Sequence, residues 1–342
     1  MKQNPASLSE RIAISEKVTV FAPATVANVI AGFDVLGFAV EELGDEVSVA
    51  FTNGGLVTLD DVTGDGGFLP HEAERNIASL MVSQYIDQLR QRIRSGDLHT
   101  SRVSIVPESG LGVSVRLQKG LPIGSGLGSS SASIAAALMA INELFGAPLS
   151  IDELIPLAME GERITCGTAH PDNVVPALLG GLILIRSKDP LDLVPVSYPK
   201  GLYCSILHPE IEILTRDARK ALPEHIELAQ YVRQSAHLAG MILGFETGNL
   251  ELLRKSMQDE IVEPIRAKMI PGFYKMKEAA LREGAIGFGI SGSGPSLFAL
   301  SKTKDCASSI LEAIQTVAEK EGISSTATLT RISSRGARKV SI

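Results

Sequence analysis

The stretch LPIGSGLGSSSAS, from Leu121 to Ser133, limits what this chain can fold into more than any other part of it. The residues before it, GVSVRLQ, alternate and predict a strand. Those after it place Ile134, Leu138, Ile141 and Phe145 at helical spacing until Gly146 and Pro148 stop the helix. The glycines permit backbone with positive φ and let a ligand approach the main chain. The serines fall at the start of the helix, where unpaired N–H groups and the helix dipole favour an anion. A strand, a cradle for phosphate and a helix is one reading; a Ser-capped helix after a pliant turn is the other. Glycine and serine alone leave both open.

Other phosphate loops are excluded. The chain has no Gly-Lys pair, so no G-x-x-x-x-G-K-[ST] loop exists. Gly287, Gly289 and Gly292 do match G-x-G-x-x-G. However, Gly294-Pro295 and the strand-like SLFALS follow, where a dinucleotide site needs a long helix.

Along the rest of the chain, VTVFAPA reads as a strand that stops at Pro23, and DEVSVAF as an alternating strand ending at Asn53. GDGGFLP is a turn-rich loop. Ile77, Leu80, Met81, Tyr85 and Leu89 predict a helix over 76–94. VSIVPES, from Val103, predicts a strand, and Ser150 predicts an N-cap for a helix over 152–163. GGLILIRS predicts a buried strand, and DPLDLVPVSYPKG a Pro-rich crossing between domains. The second half predicts strand LYCSILHP, helices over 224–243, 250–258 and 274–282, strands AIGFGIS and SLFALS, a helix over 306–321 and strand TATLTRI. Mixed strands and helices with adjacent strand pairs favour an α+β fold. The expected division is a tail at 1–17, an N-terminal domain at 18–198 and a C-terminal domain at 199–342.

A net charge of −7 with no long basic run, 4% aromatics and no Trp argue against nucleic acid as a partner. Cys166, Cys204 and Cys306 are far apart and form no Cys-x-x-Cys pair, which argues against disulfides and structural zinc. The polar start lacks the apolar core of a signal peptide, and no apolar run reaches the ~20 residues that span a bilayer. The expectation is a soluble, cytoplasmic protein with no membrane partner; a homodimer is left open.

PIGSGLGSSSA, from Pro122 to Ala132, resembles the ATP-phosphate loop of the GHMP small-molecule kinases, P-x-G-x-G-L-G-S-S-[AS]. APATVANVIAGFDVLG, from Ala22, is similar to their first motif, and GISGSGPSLFAL, from Gly289, to their third. Within that superfamily, GERITCGTAHPDNVVPALLGG, LTRDARKALP, VEPIRAKMIPGF and the SRGAR segment near Gly336 resemble homoserine kinases. The resemblance covers roughly residues 18 to 340. One departure stands in the first motif: Ile30 occupies a position where the family has glycine.

The resemblance implies a two-domain α+β fold, with a ribosomal S5 domain 2-like N-terminal half and a ferredoxin-like C-terminal half around a shared cleft. It implies ATP and Mg²⁺ as cofactors and L-homoserine as substrate, phosphorylated on its hydroxyl. Pro122, Ile123, Gly124, Ser125, Gly126, Leu127, Gly128, Ser129, Ser130, Ser131 and Ala132 would form the nucleotide loop. Glu162 with Ser129 and Ser130 would hold the metal, since hard cations take oxygen ligands. Arg219 and Arg266 would hold the substrate carboxylate, as guanidinium forks suit carboxylates. Asp34 would take the ammonium, and Asn28, His170, Asp172, Thr215, Ser291 and Gly292 would line the same pocket. Asn173 would orient the hydroxyl, with Ser130 and Glu162 completing the catalytic set and no strong general base. Alternatives are another GHMP kinase with a mevalonate-like or sugar substrate, whose substrates lack the ammonium, and a kinase-like binding protein without turnover.

Overall fold

The computed structural model describes residues 17–99 and 110–340. The strand expected over VSIVPES and the tail before Lys17 lie outside the described residues.

The first sheet has seven strands. β1 (Lys17–Ala27) pairs antiparallel with β2 (Leu36–Asn53), and β2 with β4 (Leu111–Gln118). β3 (Val57–Thr63) lies parallel to β4 at one edge. β5 (Leu182–Lys188) pairs with the start of β2, and β6 (Leu191–Val196) with β5. Three helices cover this sheet, α1 (Ile77–Ser95), α2 (Ser129–Leu144) and α4 (Pro171–Leu179), and α3 (Ile151–Cys166) packs against all three. The second sheet has the order β10 (Ser325–Arg331), β7 (Tyr203–Pro209), β9 (Leu297–Ser301), β8 (Gly287–Ile290). α9 (Phe273–Arg282) and α10 (Lys304–Lys320) pack on it. Between β7 and α9 come α5 (Thr215–Lys220), α6 (Leu228–Thr247), α7 (Leu250–Ser256) and the short α8 (Glu263–Arg266). The architecture is the expected α+β one.

Local chemistry explains the helix ends. Asn76 caps α1 by accepting from the Ala78 N–H, and Gly96 closes it in the left-handed region. Ser150 and Glu153 form a reciprocal capping box on α3. Arg92 reaches Glu153 at 2.6 Å and ties α1 to α3. α2 differs: its N-cap is Gly128 at φ +66, no side chain caps it, and its first turn carries no acidic residue. Its N–H groups stay available. Almost the whole helix is buried against β1 and β2, which fixes where those N–H groups point.

Several expectations are corrected. β1 does not stop at Pro23 but runs to Ala27, because the register breaks between Pro23 and Thr25, where a missing N–H costs no ladder bond. The Pro-rich crossing holds a strand, β6, so the passage to the second sheet is confined to residues 197–202. The helix expected over 224–243 is shifted to Leu228–Thr247. The segment near Gly336 returns to the first sheet: β11 (Arg338–Lys339) pairs with Val20 and Phe21.

One apolar core fills the space between the first sheet and α1–α4 and continues through Phe298 and Leu300 of β9. Phe38 meets Phe298 edge-on at 5.9 Å, where the two sheets join. A second core, with Phe273, Met276, Phe288 and Ile310, lies between the second sheet and its helices. Among the described residues, no helix is long and apolar enough to cross a membrane.

Candidate active site

A cleft of about 410 Å³ opens between the two sheets, with the Gly/Ser loop at one end and Asp34, Arg219 and Arg266 at the other. Gly124, Gly126 and Gly128 all have positive φ. A Cβ on Gly128 would sit 2.1 Å from Thr25 Oγ1, and one on Gly126 would sit 2.5 Å from the Ser291 carbonyl oxygen. Only glycine fits there. Gly124, in contrast, faces open space. An uncapped helix start beneath a loop of this shape has the donor set a phosphate chain needs, so the residues present fit a bound nucleotide.

Beneath the loop lies a buried ion pair. Lys119 donates to Asp45, to the Ser129 carbonyl at 2.9 Å and to Ser133 Oγ at 3.1 Å. Asp45 also accepts the N–H groups of Gly120 and Leu121 and the Ser133 hydroxyl. The pair thus fastens the first turn of α2 to β2 and β4. Burial lowers the Lys119 pKa, and Asp45 opposes that.

Ser130 and Ser131 each donate to the same oxygen of Glu162 at 2.8 Å. Glu162 projects from α3 and is 2% exposed. Burial pushes its carboxyl up, against the pull of both serines. The expected third member, Ser129, instead turns to the Leu121 carbonyl at 3.4 Å, so Ser131 takes the place expected for it beside Glu162. Among the described residues, no group of three or more His, Cys, Asp or Glu side chains is placed to hold a metal ion by itself. One carboxylate with hydroxyls does suit Mg²⁺, which commonly takes one or two carboxylates and shares its remaining positions with phosphate oxygens and water.

α4 brings the next group. Thr25 donates to the Asn173 side-chain oxygen at 2.9 Å, which fixes the amide's direction. Asp172 is buried, one of its oxygens has no partner, and its pKa is raised to about 7 by burial and by the charge of Asp34. His170 precedes α4, contacts Thr168 Oγ1 at 3.0 Å, and has its pKa lowered by burial.

At the far end, Asn28, Ile30 and Asp34 all adopt positive φ. Ile30 therefore keeps a conformation suited to the family's glycine. A β-branched residue is strained there; its side chain is buried in the core beside Gly289. Asn28 accepts from the Asp34 N–H and donates to the Gly292 carbonyl. Arg219, from α5, forks onto both oxygens of Asp34 at 2.8 and 2.7 Å, and Lys188 lies 3.6 Å away. Burial alone would raise the Asp34 carboxyl, but Arg219 and Lys188 hold it below its ordinary value. Arg266, from α8, is 3% exposed, donates to the Gly292 carbonyl at 2.7 Å, and leaves its Nε without a partner. Burial lowers its pKa to about 10, so it stays charged near neutrality. Both guanidiniums lie 5.2 Å from the Phe33 ring centre. Thr215 meets Ser293 at 3.1 Å.

The structure gathers most of the expected site residues around one cleft, with exceptions. Leu127 and Ala132 are core residues, and Pro122 lines an adjoining hollow beside Phe68. Ser291 is fully buried and props the loop by donating to the Gly126 carbonyl. Thr25, Asp45, Lys119, Lys188 and Phe33 were not singled out from the sequence. A signal existed for Lys119: it continues the series Val113, Val115, Leu117 on the inward face of β4. Thr25 and Asp45 gave none, since their partners are far away in sequence.

Comparison with known proteins agrees with this geometry. Family models match twice: GHMP kinases N terminal domain over residues 89–181 and GHMP kinases C terminal over residues 241–320. A homoserine kinase from Chloroherpeton thalassium is 46% identical over 88% of this chain and 92% of its own. The crystal structure of homoserine kinase from Cytophaga hutchinsonii superposes with a TM-score of 0.87 at 42% identity, covering 96% of this chain and 99% of that one. L. major mevalonate kinase, in complex with R-mevalonate, shares the fold at a TM-score of 0.68 and 17% identity, with 93% and 96% covered.

Proposed function

The chain belongs to the homoserine kinases of the GHMP kinase superfamily, and from that premise we propose how its cleft carries out the reaction. ATP phosphorylates the side-chain hydroxyl of L-homoserine, giving ADP and O-phospho-L-homoserine on the way to threonine. The observation that carries the assignment of residues is the polarity of the cleft: anion donors at one end, and a carboxylate facing arginines at the other. That second end matches an α-amino acid, which carries both charges, and not a sugar or mevalonate.

Amides of the Gly124–Ser131 loop and the start of α2 hold the phosphates. Glu162 and Ser130, with Ser131, hold Mg²⁺, which supplies charge neutralisation at the phosphates. Asp34 takes the substrate ammonium, and Arg219 and Arg266 take its carboxylate. Asn173, aimed by Thr25, orients the hydroxyl. Phosphoryl transfer asks mainly for position and charge stabilisation, so this set needs no strong base.

The test is ADP release over a panel of homoserine, mevalonate, galactose and phosphomevalonate, with turnover expected for homoserine alone. Arg219→Ala and Arg266→Ala should each lower kcat/KM for homoserine by roughly 10- to 150-fold, the worth of a charge-assisted hydrogen bond. The KM for ATP should hold, because the nucleotide lies at the loop end. Losses shared equally by ATP and homoserine would mean that the arginines only support the fold.

A further inference from the structure

The two groups assigned to opposite charges of the substrate are bound to each other. Arg219 sits on α5, from the second half of the chain, and its guanidinium forks onto Asp34 of the loop after β1 at 2.8 and 2.7 Å. The Asp34 side chain is 18% exposed and the Arg219 side chain 51%. Both line the cleft. The neighbouring cation, Arg266, does not share this bond and is held by the Gly292 carbonyl instead. Phe33 lies against both guanidiniums, so Arg219 can leave Asp34 and keep a surface to rest on.

We propose that the Arg219–Asp34 pair is a specificity latch that a zwitterion opens by ion-pair exchange. Resting on the site assignment above, it works as follows. An α-amino acid entering this end breaks one ion pair and makes two: its ammonium takes Asp34 and its carboxylate takes Arg219. A ligand with only the carboxylate must pull Arg219 away and leave Asp34, the more buried partner, short of its fork, with Lys188 at 3.6 Å and no closer ion pair among the described residues. A ligand with only the ammonium leaves Arg219, which is half exposed and can turn to water. The latch therefore penalises loss of the ammonium more than loss of the carboxylate. It selects for both charges together, which two independent charge contacts would not do.

The experiment uses 4-hydroxybutanoate, which is homoserine without its ammonium, and reads Kd by calorimetry so that lost turnover cannot mask binding. Asp34→Asn keeps the shape of the side chain and releases Arg219. Homoserine should then bind more weakly, while 4-hydroxybutanoate binds roughly two- to fivefold tighter than to the wild type, the scale of a partly exposed ion pair. Removing a negative charge could by itself help any anion, so the cycle is closed with Arg219→Ala and the double variant. In the Arg219→Ala background the gain from Asp34→Asn should vanish. A gain that persists there, or no gain in Asp34→Asn, overturns the latch even if the wild type phosphorylates homoserine normally. Failure of the wild type to use homoserine would overturn the site assignment, and the latch with it.

Discussion

Asp172 shows how a single residue in this cleft is set at odds with stability. Its carboxyl has an ordinary value of 3.8 and a folded one of about 7, so the folded chain holds a proton that the unfolded chain gives up. The sign follows: as pH rises from about 4 to 7 this group increasingly favours the unfolded state, and above that its effect is constant. Asp172→Asn should therefore raise Tm at pH 8 and lose that advantage toward pH 4, with a full difference on the order of 2–4 kcal/mol. Melting curves over that range check it; a gain independent of pH would assign it to packing instead. Glu162 is a second such residue, buried and facing two serine hydroxyls. Glu162→Gln keeps its size and removes a charge that burial disfavours, so the rate should need far more Mg²⁺ to saturate while the melting temperature at neutral pH does not fall. An unmoved Mg²⁺ titration would take Glu162 out of the metal site. Of these residues, Glu162, Asp172 and Asn173 could be read from the sequence because they sit in contiguous stretches with a recognisable pattern. Thr25 and Asp45 could not, because they act through partners 148 and 74 residues away.

Elements with strong local signals were readable, and those shaped by tertiary contacts were not. α1 and α3 announce themselves through Asn76, Gly96 and the Ser150–Glu153 box. α4 was hidden by Pro171 and Pro176, although Pro171 falls in the first turn, where no N–H is needed. β3 was hidden because Asp60-Asp61 interrupts its alternation, at the point where its register against β4 shifts. The elements also explain the Lys119–Asp45 pair, which joins the end of β4, a bend in β2 and the start of α2. Lys119→Met leaves Asp45 buried without a counter-charge and should cost roughly 3–5 kcal/mol. Asp45→Asn/Lys119→Met removes both charges and should restore most of that stability. It should not restore kcat, since Ser129 and the loop above it lose their fastening. Chemical denaturation and initial rates on the same samples separate the two effects; full rate recovery in the double variant would reduce the pair to a space-filler.

At the scale of the molecule, the two sheets are joined through the site itself. Gly292 donates to the Ala27 carbonyl, Ser296 to that of Ser125, and Ser291 to that of Gly126. The Phe38–Phe298 contact continues the junction into the core. Calorimetry should thus show a single transition, which ADP or homoserine moves upward as a whole. A ligand at a hundred times its Kd adds about 2.7 kcal/mol, a few degrees for a chain of this size. Two peaks, with only one shifted, would show halves that melt separately. The return of β11 to β1 bears on a different moment in the life of the chain. Val20 and Phe21 are among the first of these residues to leave the ribosome, and their partners Lys339 and Arg338 are among the last. At roughly 5–20 residues per second, translation keeps that side of β1 unpaired for on the order of 15–60 s. A nascent chain carries an open β-edge throughout that interval, and such an edge is where a chaperone or a neighbouring polysome chain can attach.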